Sequence, residues 1–186
     1  LIALMLAVGG MATLFTSLDG MRTRSYFGIY TVRQHNDTGR RTLSHGTTMH
    51  GVQLMASDKR DVPTSYYGPT SGVGLAFTHA DVLYGPAARI GVVGLGTGTL
   101  ACYHKPGEHW QFFEIDPAIV TLSKTSRTFT FLPDCAPDAQ INLGDARLTL
   151  KEKTPPASLD LLAIDAFSSD AIPLHLLTRE AFDVYG

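Results

Sequence analysis

The chain is short of cysteine and has no excess of charge of either sign. It carries 15 Lys and Arg residues against 17 Asp and Glu, a formal net charge of −2 over 186 residues. No basic stripe or Lys/Arg-rich block runs through it, so the electrostatic footprint of a nucleic-acid binder is absent and no nucleic-acid partner is expected. The two cysteines, Cys102 and Cys135, form no C-x-x-C pair and stand beside no obvious His cluster, which argues against a disulfide framework and against a zinc or other metal site. Cys102 is expected to pack in the first helix of its unit, and a reducing compartment is the default. Repeats and low-complexity tracts are missing too, and the length suits about one domain with enough chain to bury a real core.

Charge is lacking altogether at the start. Leu1 to Leu18 (LIALMLAVGGMATLFTSL) contains none and includes the small residues that membrane helices tolerate, stopping at Asp19. This predicts the end of a transmembrane helix over residues 1–18, with a buried helix of a soluble protein as the alternative. A signal peptide fits less well, because no basic segment precedes the run and no small-residue cleavage site follows it. Arg22 and Arg24 come directly after, and the positive-inside tendency puts the remainder in the cytoplasm. The first residue is Leu rather than Met, so the sequence reads as a piece of a longer protein.

A different pattern follows over residues 19–68. YFGIYTVRQ and RRTLSHG flank Asn36-Asp37-Thr38-Gly39 and read as a hairpin, with TTMHGVQLM extended after it. Together they predict a small antiparallel β domain of three or so strands. Pro63 to Pro69 is then a loop, and SGVGLAFTHADVLYG contains a glycine-diluted helix.

The most informative stretch is RIGVVGLGTGTL (Arg89 to Leu100), followed by the acid-ended HWQFFEID (His109 to Asp116). Gly94 and Gly96 let the backbone leave an apolar strand sharply and approach a ligand without Cβ interference. Gly98 and Thr99 open a helix whose amides face that site. Glu114 ends the next strand close to the ~20 residues expected between a glycine turn and a ribose-binding acid. The spacing is G-x-G-x-G with Thr99 where a dinucleotide fingerprint has its last glycine, which suits an S-adenosyl cofactor better than NAD.

From Arg89 onward strands and helices alternate. RIGVVGL and HWQFFEI read as buried parallel strands, Pro117 opens a helix, INL is a third strand before the Gly144-Asp145 turn, and LDLLAID is a fourth. Glu114, Asp145 and Asp165 all lie at strand ends, where open parallel sheets bind ligands, and the three acids are expected to converge on one cleft. The fold class is therefore α/β over residues 69–186, a Rossmann-like, methyltransferase-like parallel sheet behind the antiparallel domain. About three further strands of a complete sheet are not in the sequence.

The order GLGTGT, FFEIDPAIV, INLGDAR and LDLLAIDAFSSDAIP resembles the spermidine synthase family of aminopropyltransferases, especially bacterial members fused behind membrane helices. The resemblance implies aminopropyl transfer from decarboxylated S-adenosylmethionine to a polyamine such as putrescine, without a metal, in an inner-membrane protein with its enzyme domain in the cytoplasm and a homodimer as one assembly. By position, Glu114 matches the acid that holds the ribose and Asp145 the one that reads the adenine amino group. Gly94, Gly96, Thr97 and Gly98 match the cofactor loop, and Asp165, with Asp170 second, matches the catalytic acid. Gln53, Tyr66 and Tyr67 match substrate-cleft positions. Plain structural roles stay open beside these: a turn residue for Asp145, a solvent-facing strand residue for Gln53, core packing for the tyrosines. Two departures stand out. Thr97 occupies a place where the family usually carries an acid, which leaves ordinary S-adenosylmethionine and a methyltransferase as an alternative. The loop from Asp165 to Asp170 is also longer than the family's. A membrane-tethered binding domain without turnover is the third reading.

Overall fold

The computed structural model describes residues 2–3, 5–6, 8–11, 20–167 and 172–186. These form two four-stranded sheets, one antiparallel and one parallel.

The antiparallel sheet is a meander of β1 (Met21–Ser25), β2 (Gly28–His35), β3 (Arg40–His45) and β4 (Thr48–Leu54) in that spatial order. It holds one strand more than the sequence pattern suggests. MRTRS has no apolar alternation of its own and becomes a strand by pairing with β2, from Met21↔Val32 to Ser25↔Gly28. Cross-strand pairs Val32↔Leu43 and Tyr30↔His45 set one face inward, and Tyr30, Val32 and Leu43 are buried there.

The parallel sheet contains β5 (Arg89–Val93), β6 (His109–Glu114), β7 (Gln140–Leu143) and β8 (Leu161–Ile164), in the order β7-β6-β5-β8. Ile90, Val92, Val93, Phe112 and Phe113 are essentially fully buried, as the continuous apolar runs imply. Successive strands step from β5 to β6 to β7 in one direction, and the chain then returns to lay β8 on the other side of β5. That reversal is a topological switch point, where a crevice opens outside the strand ends.

The helices are shorter than the sequence suggests. Asp116 caps the Pro117–Val120 helix by accepting from Ala118 N–H at 2.8 Å. The helix then widens into a π-type turn over Thr121–Thr125 and stops short of Phe129, which is completely buried. Residues 71–85 form two short helices, Gly72–Thr78 and Ala80–Tyr84, broken at His79. The element after the glycine turn is a five-residue 3-10 helix, Thr99–Tyr103, with Leu132 packed directly on Gly98.

Polar contacts join the two sheets. The Ser25 hydroxyl donates to the Asp116 carboxylate, and the Arg41 guanidinium donates to the Thr128 carbonyl. The Gln53 amide grips Thr130 at both ends, donating to its Oγ1 at 3.0 Å and accepting from its N–H at 3.1 Å.

Two expectations are corrected or left without support. Cys102 and Cys135 are joined in a disulfide, 33 residues apart in sequence and 4.8 Å between Cα atoms. The pairing comes from packing of the Thr99–Tyr103 turn against the helix Phe131–Cys135, which no local spacing reveals. For the N-terminal run, no helix among the described residues is long and apolar enough to cross a membrane. Residues 1, 4, 7 and 12–18 of that run lie outside the described residues.

Candidate active site

A cavity of about 300 Å³ opens at the carboxyl ends of β5, β6 and β8. Gly94 leaves β5 with φ +96°, a conformation that glycine tolerates and other residues do not. A Cβ there would lie 2.5 Å from the Asp165 carbonyl oxygen, so the glycine also lets β5 and the end of β8 run side by side. The ladder continues past both strands, with Gly94 N–H bonded to Phe113 O and Asp165 N–H to Val93 O, each at 2.8 Å.

The three predicted acids all line this cavity. Glu114 is buried, and its two oxygens accept from Leu95 N–H at 2.9 Å and Asp116 N–H at 2.8 Å. These bonds tie the carboxylate to both the glycine turn and the start of the next helix. Burial pushes its carboxyl pKa upward, against the lowering effect of those backbone donors. Each oxygen keeps a second lone pair for a ligand hydroxyl.

Asp145 caps the helix Ala146–Lys153, its Oδ1 accepting from Leu148 N–H at 3.0 Å. Its Oδ2 lies 2.8 Å from His175 Nε2. Asp165 receives a hydrogen bond from the Tyr67 hydroxyl. Burial raises the Asp165 carboxyl pKa to about 6, partly offset by that bond. Burial and the neighbouring Asp165 charge push the Tyr67 hydroxyl far upward, so it stays a protonated donor. Tyr66 packs on Tyr67 with ring centroids 4.2 Å apart and lines the cavity with it.

The remaining predicted residues are placed unevenly. Gly96 lines the cavity, whereas Thr97 and Gly98 are not in its lining. Thr97 is buried with its hydroxyl 2.9 Å from that of Thr99, so the glycine turn contributes no acid and no hydroxyl at its centre. Gln53 is fully buried and outside the lining, held by Thr130 and the Arg60 carbonyl. It is not the solvent-facing strand residue that its alternation allows. Asp170 lies outside the described residues.

Sequence reasoning passed over one wall. Tyr30, His45 and His50 line the cavity from the antiparallel sheet, and His175 lines it from the other side. The alternation in β2 and β3 was the available signal for the first two, since it puts Tyr30 and His45 on the face of Val32 and Leu43. An isolated histidine such as His175 carries no such signal.

No family model matches the chain. Over 89% of its length it superposes on 51% of the spermidine synthase of Thermotoga maritima, with TM-score 0.57 and 14% identity. A spermidine synthase in complex with the transition-state analogue AdoDATO gives a TM-score of 0.58, again at 14% identity, over 89% of this chain and 52% of that one. The fold is that of the spermidine synthases. In sequence, the chain is 33% identical over 108 residues to a polyamine aminopropyltransferase of Vibrio vulnificus (strain CMCP6), a match over 55% of this chain. It spans about half of the spermidine synthase structures and 35% of that curated relative.

Proposed function

We propose that the protein is a spermidine synthase-like aminopropyltransferase, with decarboxylated S-adenosylmethionine as donor and a polyamine such as putrescine as acceptor. One observation carries this reading. A partly buried carboxyl group with its pKa raised to about 6 sits at the switch point of a spermidine synthase fold, in a cavity that two further acids line.

The roles follow from the chemistry. A primary amine with a pKa near 10.4 is almost entirely protonated at neutral pH and cannot attack carbon. Asp165 is ionised above about pH 6 and can take the proton while holding the nitrogen in line with the carbon to be attacked. Tyr67 fixes the carboxylate in place. As the amine nitrogen bonds to the aminopropyl carbon, the carbon–sulfur bond breaks, the sulfur leaves as a neutral thioether and the proton ends on Asp165. Glu114 would hold the ribose hydroxyls and Asp145 the adenine amino group. Acids in the cavity also favour a donor and an acceptor that are both cationic.

A second reading is favoured by Thr97, which turns inward to Thr99 and so adds no acid for the amine of a decarboxylated donor. On that reading the donor is ordinary S-adenosylmethionine and the reaction is methyl transfer. Calorimetry of the full-length protein with both donors, followed by product analysis with putrescine, separates the two. Preference for decarboxylated S-adenosylmethionine with formation of spermidine supports aminopropyl transfer, and preference for ordinary S-adenosylmethionine overturns it. Membrane attachment is a separate proposal, supported by the uncharged run over residues 1–18 alone. Fractionation of the full-length protein with membranes tests it.

A further inference from the structure

His175 has no part in the roles above, yet it lines the cavity beside Asp145. Asp145 has two oxygens and both are engaged. Oδ1 accepts from Leu148 N–H, and Oδ2 lies 2.8 Å from His175 Nε2. An imidazole bond to one oxygen and a backbone bond to the other leave the carboxylate a single orientation. Its free lone pairs then have a fixed direction.

His175 belongs to a segment anchored on both sides. It lies in the short 3-10 turn Leu174–Leu176, and Leu176 is buried against Val93, Phe113, Ala146 and Leu150. The Tyr185 hydroxyl donates to the Leu176 carbonyl at 3.1 Å, which ties the turn to the last helix, Arg179–Tyr185. The same stretch of chain begins at Asp165, held by Tyr67. Residue 165 at one end and residue 175 at the other therefore both face the cavity, each fixed by one side-chain bond.

We propose that His175 is a positioning residue that orients Asp145 for the amino group of a nucleobase and so sets the affinity of the site for adenine nucleosides over their 6-oxo counterparts. The inference rests on the nucleoside-binding reading above. Without the imidazole, the Asp145 carboxylate keeps its helix cap but can rotate about its remaining bonds, and the base loses a fixed acceptor. Glutamine at position 175 can still donate a hydrogen bond to Oδ2, whereas alanine cannot.

The test measures binding of 5′-methylthioadenosine and 5′-methylthioinosine to the full chain by calorimetry, for wild type, His175→Ala, His175→Gln, Asp145→Asn and the double variant His175→Ala/Asp145→Asn. The inosine analogue lacks the 6-amino group. Expected results are a roughly tenfold loss of adenosine-analogue affinity in His175→Ala, substantial recovery in His175→Gln and an unchanged inosine-analogue affinity. The double variant should bind no more weakly than Asp145→Asn alone, since the two residues act as one unit. Melting temperatures within a few degrees of wild type separate this outcome from general loosening, which weakens both nucleosides alike and counts against the proposal. If wild type binds the adenosine analogue and His175→Ala binds it within twofold, the positioning role is overturned while the parent reading stands. If wild type binds neither nucleoside, both fall together.

Discussion

Replacing Asp165 by asparagine should make the protein more stable and inactive at once. The carboxyl pKa is 3.8 in the unfolded chain and about 6 in the folded one, mainly because partial burial desolvates Asp165. At 1.36 kcal/mol per unit, keeping the group ionised in the fold costs about 3 kcal/mol. Asparagine is never ionised and can still accept from Tyr67, and the stronger bond of Tyr67 to the carboxylate is already contained in the value of about 6. The net gain is then about 3 kcal/mol, or a melting temperature higher by roughly 6–12 °C for a chain of this size. The size of the gain depends on pH. Below about pH 4 the carboxyl is protonated in both states and the variant gains nothing. Between about pH 4 and 6 the unfolded chain ionises while the folded one resists, and the gain grows to its full value above about pH 6. Activity should fall by about 10²–10⁴-fold with loss of the base. Scanning calorimetry of both proteins at pH 4 and pH 8, with an amine-transfer assay at pH 8, measures all three quantities. A variant that melts at or below the wild-type temperature at pH 8, or gains equally at pH 4, refutes the argument from burial.

Three other perturbations probe the same frame. Tyr67→Phe removes the bond that holds the Asp165 pKa down, so the acid limb of the kcat/KM profile should move alkaline of about 6; a limb that stays in place or moves to lower pH would show that the hydroxyl does not act on Asp165. Gly94→Ala puts a Cβ 2.5 Å from the Asp165 carbonyl in a backbone with φ +96°, and nucleoside binding and turnover should both be lost, whereas wild-type affinity would mean that the close approach is dispensable. Cys102→Ser opens a cross-link spanning 33 residues, worth about 3–4 kcal/mol by loop entropy; the variant should melt about 6–16 °C lower, as should the dithiothreitol-treated wild type, and an unchanged melting temperature in both would contradict the estimate.

What was legible in the sequence divides along the range of the forces involved. Gly94, Glu114, Asp145 and Asp165 could be read because each sits at a strand end, and strand ends follow from continuous apolar runs and local turn residues. Their meeting in one cavity then follows from parallel-sheet topology. The details that escaped depend on contacts between segments far apart in the chain. Gln53 sits in an alternating strand and looks solvent-facing, yet Thr130, 77 residues onward, and the Arg60 carbonyl take up its amide. The Cys102–Cys135 bond and the His175–Asp145 pair likewise join residues with no fixed sequence relation. β1 was missed because MRTRS is a strand by virtue of its partner alone.

The seam between the two sheets sets the terms on which their parts could be exchanged. The antiparallel sheet meets the parallel one through Ser25 on Asp116, Arg41 on the Thr128 carbonyl and Gln53 on Thr130. None of these three residues lines the cavity, whereas their strand neighbours Tyr30, His45 and His50 do. Fastening and lining overlap at Tyr30, which lines the cavity and is buried in the apolar cluster that both sheets share. A chimera carrying the strands of another relative would have to reproduce the three polar fasteners together with the packing of Tyr30, Val32 and Leu43 to seat correctly, while His45 and His50 on the cavity wall could vary.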